Sequence, residues 1–148
     1  MKITKKIRIE ADTDRVWQVL GPDYAHADRW ASSVFVSHPR PGAPKIAGAP
    51  CVGRVCHTSL GPFTETIEAY DPERRRVAYA ATGEKMPGFV RSLVNSWYLS
   101  PIGDHATEAR MELNADITPP FNWLMGWIMH RQFNRVLSES IEELKHFA

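Results

Sequence analysis

The sequence predicts an α+β domain: a curved antiparallel sheet of seven strands around one long C-terminal helix, with two short helices after the first strand. Three observations carry that prediction. A strand-like segment opens the chain, six more follow between residues 32 and 117, and residues 119–147, PPFNWLMGWIMHRQFNRVLSESIEELKHF, read as one helix. Sequential strands joined by short turns form an antiparallel meander. A sheet of that size twists and curls, and the one long helix finds its cover on the concave face.

The elements follow in order. Residues 2–10 alternate, with Ile3, Lys5, Ile7 and Ile9 on one side and Thr4, Lys6, Arg8 and Glu10 on the other, the pattern of a half-buried strand. Asp12 is placed to cap a short helix carrying Val16, Trp17 and Leu20, which Gly21-Pro22 ends. A second short helix is expected from Asp23 to about Trp30. Strands are expected near 32–38, 51–60, 63–71, 76–82, 90–101 and 105–117, punctuated by Gly61-Pro62, Asp71-Pro72 and Gly103-Asp104. The stretch HPRPGAPKIAGAP (38–50) reads as a loop and not an interdomain linker, because neither flank has enough chain to fold alone. There is no internal repeat. Pro119-Pro120 suits a helix start.

Composition excludes several functions. Hydrophobic residues are 43% and charged residues 24%, ordinary for a globular protein, and the formal net charge of +1 offers no field to recruit nucleic acid. The Arg74-Arg75-Arg76 run, following Asp71-Pro72-Glu73, reads as a solvated turn. No apolar run approaches the ~20 residues of a membrane span, and the charged MKITKKIRIEAD start lacks the apolar core of a signal peptide. Cys51 and Cys56, in one expected strand, would lie about 16 Å apart on opposite faces and cannot pair. A cytoplasmic protein with free thiols is expected. The six histidines show no metal-ligand spacing, and HExxH, CxxC, a phosphate-binding glycine loop and a G-x-S-x-G elbow are all absent. Neither metal nor cofactor is expected.

The long helix has two kinds of surroundings. With Phe133 in front, Gly126, Met129, Leu137, Ser140, Leu144 and Phe147 fall beside it, and Trp123, His130, Val136 and Ile141 flank them. The back of the second half is polar, as a solvated face should be. The back of the first half holds Leu124, Trp127 and Ile128. That face calls for a cover: the 83–89 loop, a second copy of the chain, or weak contact with a membrane surface. Gly126 stands where a large core residue is expected, at about 1 kcal/mol of helix propensity relative to alanine. Either another element packs closely there, or the gap leaves room for a ligand beside Met129 and His130.

On the sheet, Glu65 has the parity of Phe63, Ile67 and Ala69 and so faces the helix. A carboxylate there is costly unless it is paired or protonated. If Gly61-Pro62 is a two-residue hairpin loop, Thr58 faces Glu65, Cys56 faces Ile67 and Arg54 faces Ala69, too far along the strands for a direct Arg54–Glu65 bridge. A longer loop would bring Val55 and His57 to that face instead. Tyr79 shares parity with Val77 and Ala81. In RSLVNSWYL (91–99), either Asn95 and Trp97 or Ser96 and Tyr98 face inward.

The segments VWQVLGPDYAHADRWASSV (16–34), GRVCHTSLGPFTETIEAYDPERRRVAYA (53–80), NSWYLSP (95–101) and the ending around IEELK (141–145) resemble the START-like (SRPBCC) superfamily. Its polyketide cyclase/dehydrase and lipid-transport families are the most similar. The resemblance runs over nearly the whole chain, so residues 1–148 are expected to form one START-like ligand-binding domain. It implies a helix-grip fold with a ligand cavity between sheet and helix. It implies that Trp30 is a wall residue and that Glu65, matching a glutamate of the S-T-E motif in related plant receptors, contacts ligand through water. The triplet here is Phe63-Thr64-Glu65, so only the glutamate carries over.

Three functions remain open. The first is binding or carrying a small hydrophobic molecule, which needs a cavity, an apolar lining and one or two orienting polar groups. The second is a cyclase or dehydratase, for which Glu65 and His130 are the candidate acid–base pair. An interaction module using the surface around Trp127 is a third.

Overall fold

Because residues 2–9 alternate cleanly, β1 (Lys2–Ile9) forms at the start of the chain and buries Ile3 and Ile9. The computed structural model describes residues 1–124 and 126–148, and the side chain of Leu124 lies outside that description. After β1 come α1 (Thr13–Leu20), a short 3₁₀ helix (Tyr24–Arg29), β2 (Val34–Pro39), β3 (Gly53–Thr58), β4 (Gly61–Asp71), β5 (Arg76–Gly83), β6 (Val90–Ile102), β7 (Ala106–Ile117), α2 (Phe121–Leu124) and α3 (Gly126–Phe147). The seven strands form one antiparallel sheet in the order β1-β7-β6-β5-β4-β3-β2. The last strand returns beside the first, with Ile3 opposite Leu113 and Ile7 opposite Ala109. With α3 gripped by the sheet, this is the helix-grip fold.

Several local expectations are corrected. The second short helix is 3₁₀, interrupted at His26, whose backbone is not helical. Asp12 occupies the position before α1, yet its side chain makes no capping bond and only its carbonyl accepts, from Val16 N–H at 3.1 Å. The third strand is shorter than 51–60, so Cys51 precedes it. Both cysteines are buried and free.

The β3–β4 hairpin closes earlier than the Gly61-Pro62 reading. Thr58 pairs with Gly61, leaving Ser59-Leu60 as the loop. Gly61 holds φ +101°, a backbone region that favours glycine. Thr58 Oγ1 accepts from Leu60 N–H (3.1 Å) and donates to Gly61 O (2.7 Å), which locks this register. The pairing thus slides by an even number of residues, so every side chain keeps its face while its partner changes. A bulge between Ile67 and Ala69 then breaks the alternation of β4. Beyond it Tyr70, not Ala69, takes the inward place opposite Val77 and meets the Trp17 ring of α1 at 5.3 Å.

α3 docks through Met129, Leu137, Ile141 and Leu144, which are buried, with Phe133 half-buried among them. The spacing of eight, four and three residues keeps them on one helical face. Phe147, expected in the same stripe, is exposed. Glu143 fastens the helix to the rest of the chain by accepting from Ser32 N–H (2.7 Å) and Ser32 Oγ–H (3.0 Å).

The 83–89 loop does not cover the back of α3. Thr118 N–H donates to Phe89 O (2.7 Å) and the Phe89 ring stacks on Phe121 at 4.7 Å, which holds the loop on the Met129–Phe133 side. Trp127 and Ile128 are therefore 66% and 42% exposed, and Trp123 is 79% exposed. Among the described residues the chain does not make the contact expected of that face, and the Leu124 side chain lies outside them. Among the described residues no helix is long and apolar enough to cross a membrane.

Candidate functional site

Between α3 and the inner face of the sheet lies a cavity of about 150 Å³. β6 contributes Leu93 and Asn95, β7 Leu113, and α3 Phe133, Val136 and Leu137. From β3, β4 and β5 come Arg54, Cys56, Thr58, Phe63, Glu65, Tyr79 and Ala81. Leu60, Phe63 and Phe133 separate it from an outer compartment of about 180 Å³, which Lys85, Met86, Pro87, Met129 and Gln132 complete.

The polar centre of the wall is an ion pair. The earlier hairpin closure sets Arg54 directly opposite Glu65. Arg54 Nε donates to Glu65 Oε2 at 2.7 Å and a terminal nitrogen reaches Oε1 at 3.3 Å. The expectation that these groups stand too far apart is thereby corrected. The reason is the position of the loop, which moves Arg54's partner from Ala69 to Glu65 without changing its face. Gly53, next to Arg54, permits the approach: a Cβ there would lie 1.8 Å from Glu65 O.

Both members of the pair are almost fully buried, and each is held by more than its partner. Arg54 donates to Tyr24 O at 2.6 Å, and its guanidinium sits 4.2 Å from the Tyr24 ring and 4.9 Å from the Tyr79 ring. Burial alone would lower the Arg54 pKa, but the Glu65 charge and the two tyrosines hold it well above the usual value. Cys56 points its Sγ at Glu65 Oε2 (3.4 Å) and Ser37 Oγ (3.6 Å), and burial pushes its thiol up to about 11. Burial likewise raises the Tyr24 and Tyr79 hydroxyls. These groups are therefore protonated near neutral pH; Cys56 and Tyr79 act as neutral hydrogen-bonding groups, while the buried Tyr24 hydroxyl has no hydrogen-bond partner among the described residues.

β6 resolves its two inward options in favour of Asn95 and Trp97. Asn95 donates Nδ2–H to Tyr79 Oη at 2.9 Å and Trp97 donates Nε1–H to the same oxygen at 3.3 Å. Asn95 Oδ1 is buried and has no hydrogen-bond partner among the described residues.

The remaining expected contacts divide by place. Cys56, Thr58, Glu65, Tyr79 and Phe133 line the inner cavity, and Met129 lines the outer compartment. Trp30 and Trp97 line a separate void of about 10 Å³ on the far side of Arg54 and Tyr79, room for about one water. Ile67 is buried in the core. Gly126 and exposed His130 belong to a different depression with Met1, Ile117, Asn122 and Trp127. Glu65 and His130 thus do not share a cavity, and Glu65 is tied to Arg54. Sequence reasoning undervalued Arg54 and Asn95. Parity placed Arg54 on the correct face, and only the loop position hid its partner. Among the described residues no cluster of three or more His, Cys, Asp or Glu is grouped to hold a metal ion.

Solved structures of similar shape share the fold at low identity. A START superfamily protein from Mycobacterium smegmatis aligns with TM-score 0.69 and 10% identity over 99% of both chains. The di-domain ARO/CYC protein BexL of the BE-7585A biosynthetic pathway aligns with TM-score 0.76 and 16% identity over 99% of this chain and 45% of its own. Norcoclaurine synthase from Thalictrum flavum, solved with dopamine and hydroxybenzaldehyde, aligns with TM-score 0.69 and 15% identity over 99% of this chain and 85% of its own. No curated protein matches the chain. The model of the family described as polyketide cyclase / dehydrase and lipid transport matches residues 1–146. A seven-stranded helix-grip with an inner cavity is the START-like architecture, and the chain belongs to the polyketide cyclase / dehydrase and lipid transport family.

Proposed function

We propose that this protein binds or carries a small hydrophobic molecule between the sheet and α3, without catalysing a reaction on it. The observation that carries this reading is the state of Glu65. Its charge is matched by Arg54 at 2.7 Å inside an otherwise mostly apolar wall. A general base must be free to take a proton, whereas a paired carboxylate in such a wall orients and rigidifies. The cyclase or dehydratase alternative, which the family description allows, needs an acid and a base on one ligand. Its best candidates, Glu65 and His130, stand in separate sites. Two buried free thiols support a reducing compartment such as the cytoplasm.

Native mass spectrometry of the freshly purified protein tests the proposal. A stoichiometric small-molecule adduct is expected, lost on denaturation. Ala81→Leu, which adds bulk inside the cavity, should keep the fold and abolish the adduct. A protein that carries nothing and takes up no apolar compound would overturn the binding reading. Turnover that requires His130 would favour the enzyme.

A further inference from the structure

We propose, resting on the binding function above, that the inner compartment selects an uncharged single-ring molecule bearing a hydroxyl group, and that Asn95 reads that hydroxyl.

Size is the first argument. A cavity of about 150 Å³ lined by Leu, Ile and Phe takes a molecule such as benzene. The inner compartment has that volume, with Leu93, Leu113, Phe133 and Leu137 among its walls. A fused-ring or long-chain ligand outgrows it and must extend through its open side or past Phe63 and Phe133 into the outer compartment.

Charge is the second. Arg54 and Glu65 are the charged residues among the described lining, and they neutralise one another. Arg54 is further committed to Tyr24 O and lies against two tyrosine rings. A carboxylate or ammonium ligand would be desolvated with no counter-ion to meet it.

The hydroxyl is the third. Asn95 lines the cavity, and its Oδ1 is a buried acceptor without a partner among the described residues. Such an atom is costly to leave unmatched. The Tyr79 hydroxyl receives two N–H donors, from Asn95 and Trp97. Turning the amide over would let Tyr79 donate to Oδ1 and leave an amide N–H unpaired instead. In either orientation one half of the amide is left unpaired beside the cavity, where a small turn of the side chain brings it to the ligand. A hydroxyl both donates and accepts, so it satisfies both; a ketone, which only accepts, or an ammonium, which only donates, satisfies one.

Calorimetric titration of the purified protein with p-cresol, toluene, benzoate and 2-naphthol separates the three arguments. p-Cresol should bind about tenfold more tightly than toluene, the worth of one well-made hydrogen bond. Benzoate should show no binding, and 2-naphthol should bind more weakly than p-cresol. Asn95→Leu should bring p-cresol and toluene within about twofold of each other by weakening p-cresol. Tighter binding of 2-naphthol than of p-cresol overturns the size argument, and saturable benzoate binding overturns the charge argument. Toluene matching p-cresol on the wild-type protein overturns the hydroxyl argument without any variant, as does a folded Asn95→Leu that leaves their ratio unchanged. In each of those cases a ligand binds and the carrier reading stands. If no panel member binds while native mass spectrometry still finds an adduct, this inference alone fails. If neither is seen, both fail.

Discussion

Glu65→Gln would leave the Arg54 guanidinium buried without its counter-charge. Removing one partner of a buried pair is expected to cost roughly 3–5 kcal/mol. A chemical denaturation series should show that loss, because both side chains are over 90% buried and bonded at 2.7 Å. Sequence parity leaves open whether Glu65 is paired, and the register of the hairpin decides it by setting Arg54 opposite. Replacing both residues, as Arg54→Met with Glu65→Leu, should recover most of the loss, since an apolar pair of similar volume often matches a buried ion pair. A Glu65→Gln protein within about 1 kcal/mol of wild type would show that water reaches the pair and screens it.

At the level of elements, two glycines give opposite results with alanine. Gly126 opens α3, and a methyl group on its Cα would meet nothing within 4 Å among the described residues, so Gly126→Ala should stabilise by at most about 1 kcal/mol, the helix-interior value. Among the described residues neither close packing nor room for ligand in the sheet cavity explains this glycine, which faces the Met1–Ile117 depression instead. Gly53 lies in β3, where a Cβ would meet Glu65 O at 1.8 Å. Gly53→Ala must push β3 from β4 and should cost about 1–3 kcal/mol or more. Thermal melts of the two variants check both signs. A destabilised Gly126→Ala would mean that the start of α3 packs against something beyond the described residues.

For the whole molecule, alkaline pH is the informative perturbation. Burial raises the Cys56 thiol to about 11 and also raises the Tyr24 and Tyr79 hydroxyls, all around the Arg54–Glu65 pair. Each group holds its proton more tightly folded than unfolded. The unfolded chain therefore loses these protons first as pH rises, and stability falls. The fall should begin near pH 9, where an ordinary thiol titrates, and continue through about 11. The melting temperature should drop over that window, and Cys56→Val should reduce the drop by removing one of the three groups. A flat profile to pH 11 would mean these hydroxyls and the thiol are solvated. The fold at this scale was legible in the sequence. Period-two alternation in β1, turn residues between strands and the apolar stripe from Met129 to Leu144 are local patterns, and each acts through nearest neighbours along the chain. Those patterns determined the order of elements, the helix against the sheet, and the face on which Arg54, Glu65 and Tyr79 stand. Only tertiary structure decided who meets whom on that face. A hairpin that closes at Ser59-Leu60 changes every β3–β4 partner while leaving the alternation intact, because parity repeats every two residues and pairing depends on where each turn closes. A bulge after Ile67 moves the inward place from Ala69 to Tyr70, and the stacking of Phe89 on Phe121 fixes where the 83–89 loop lies.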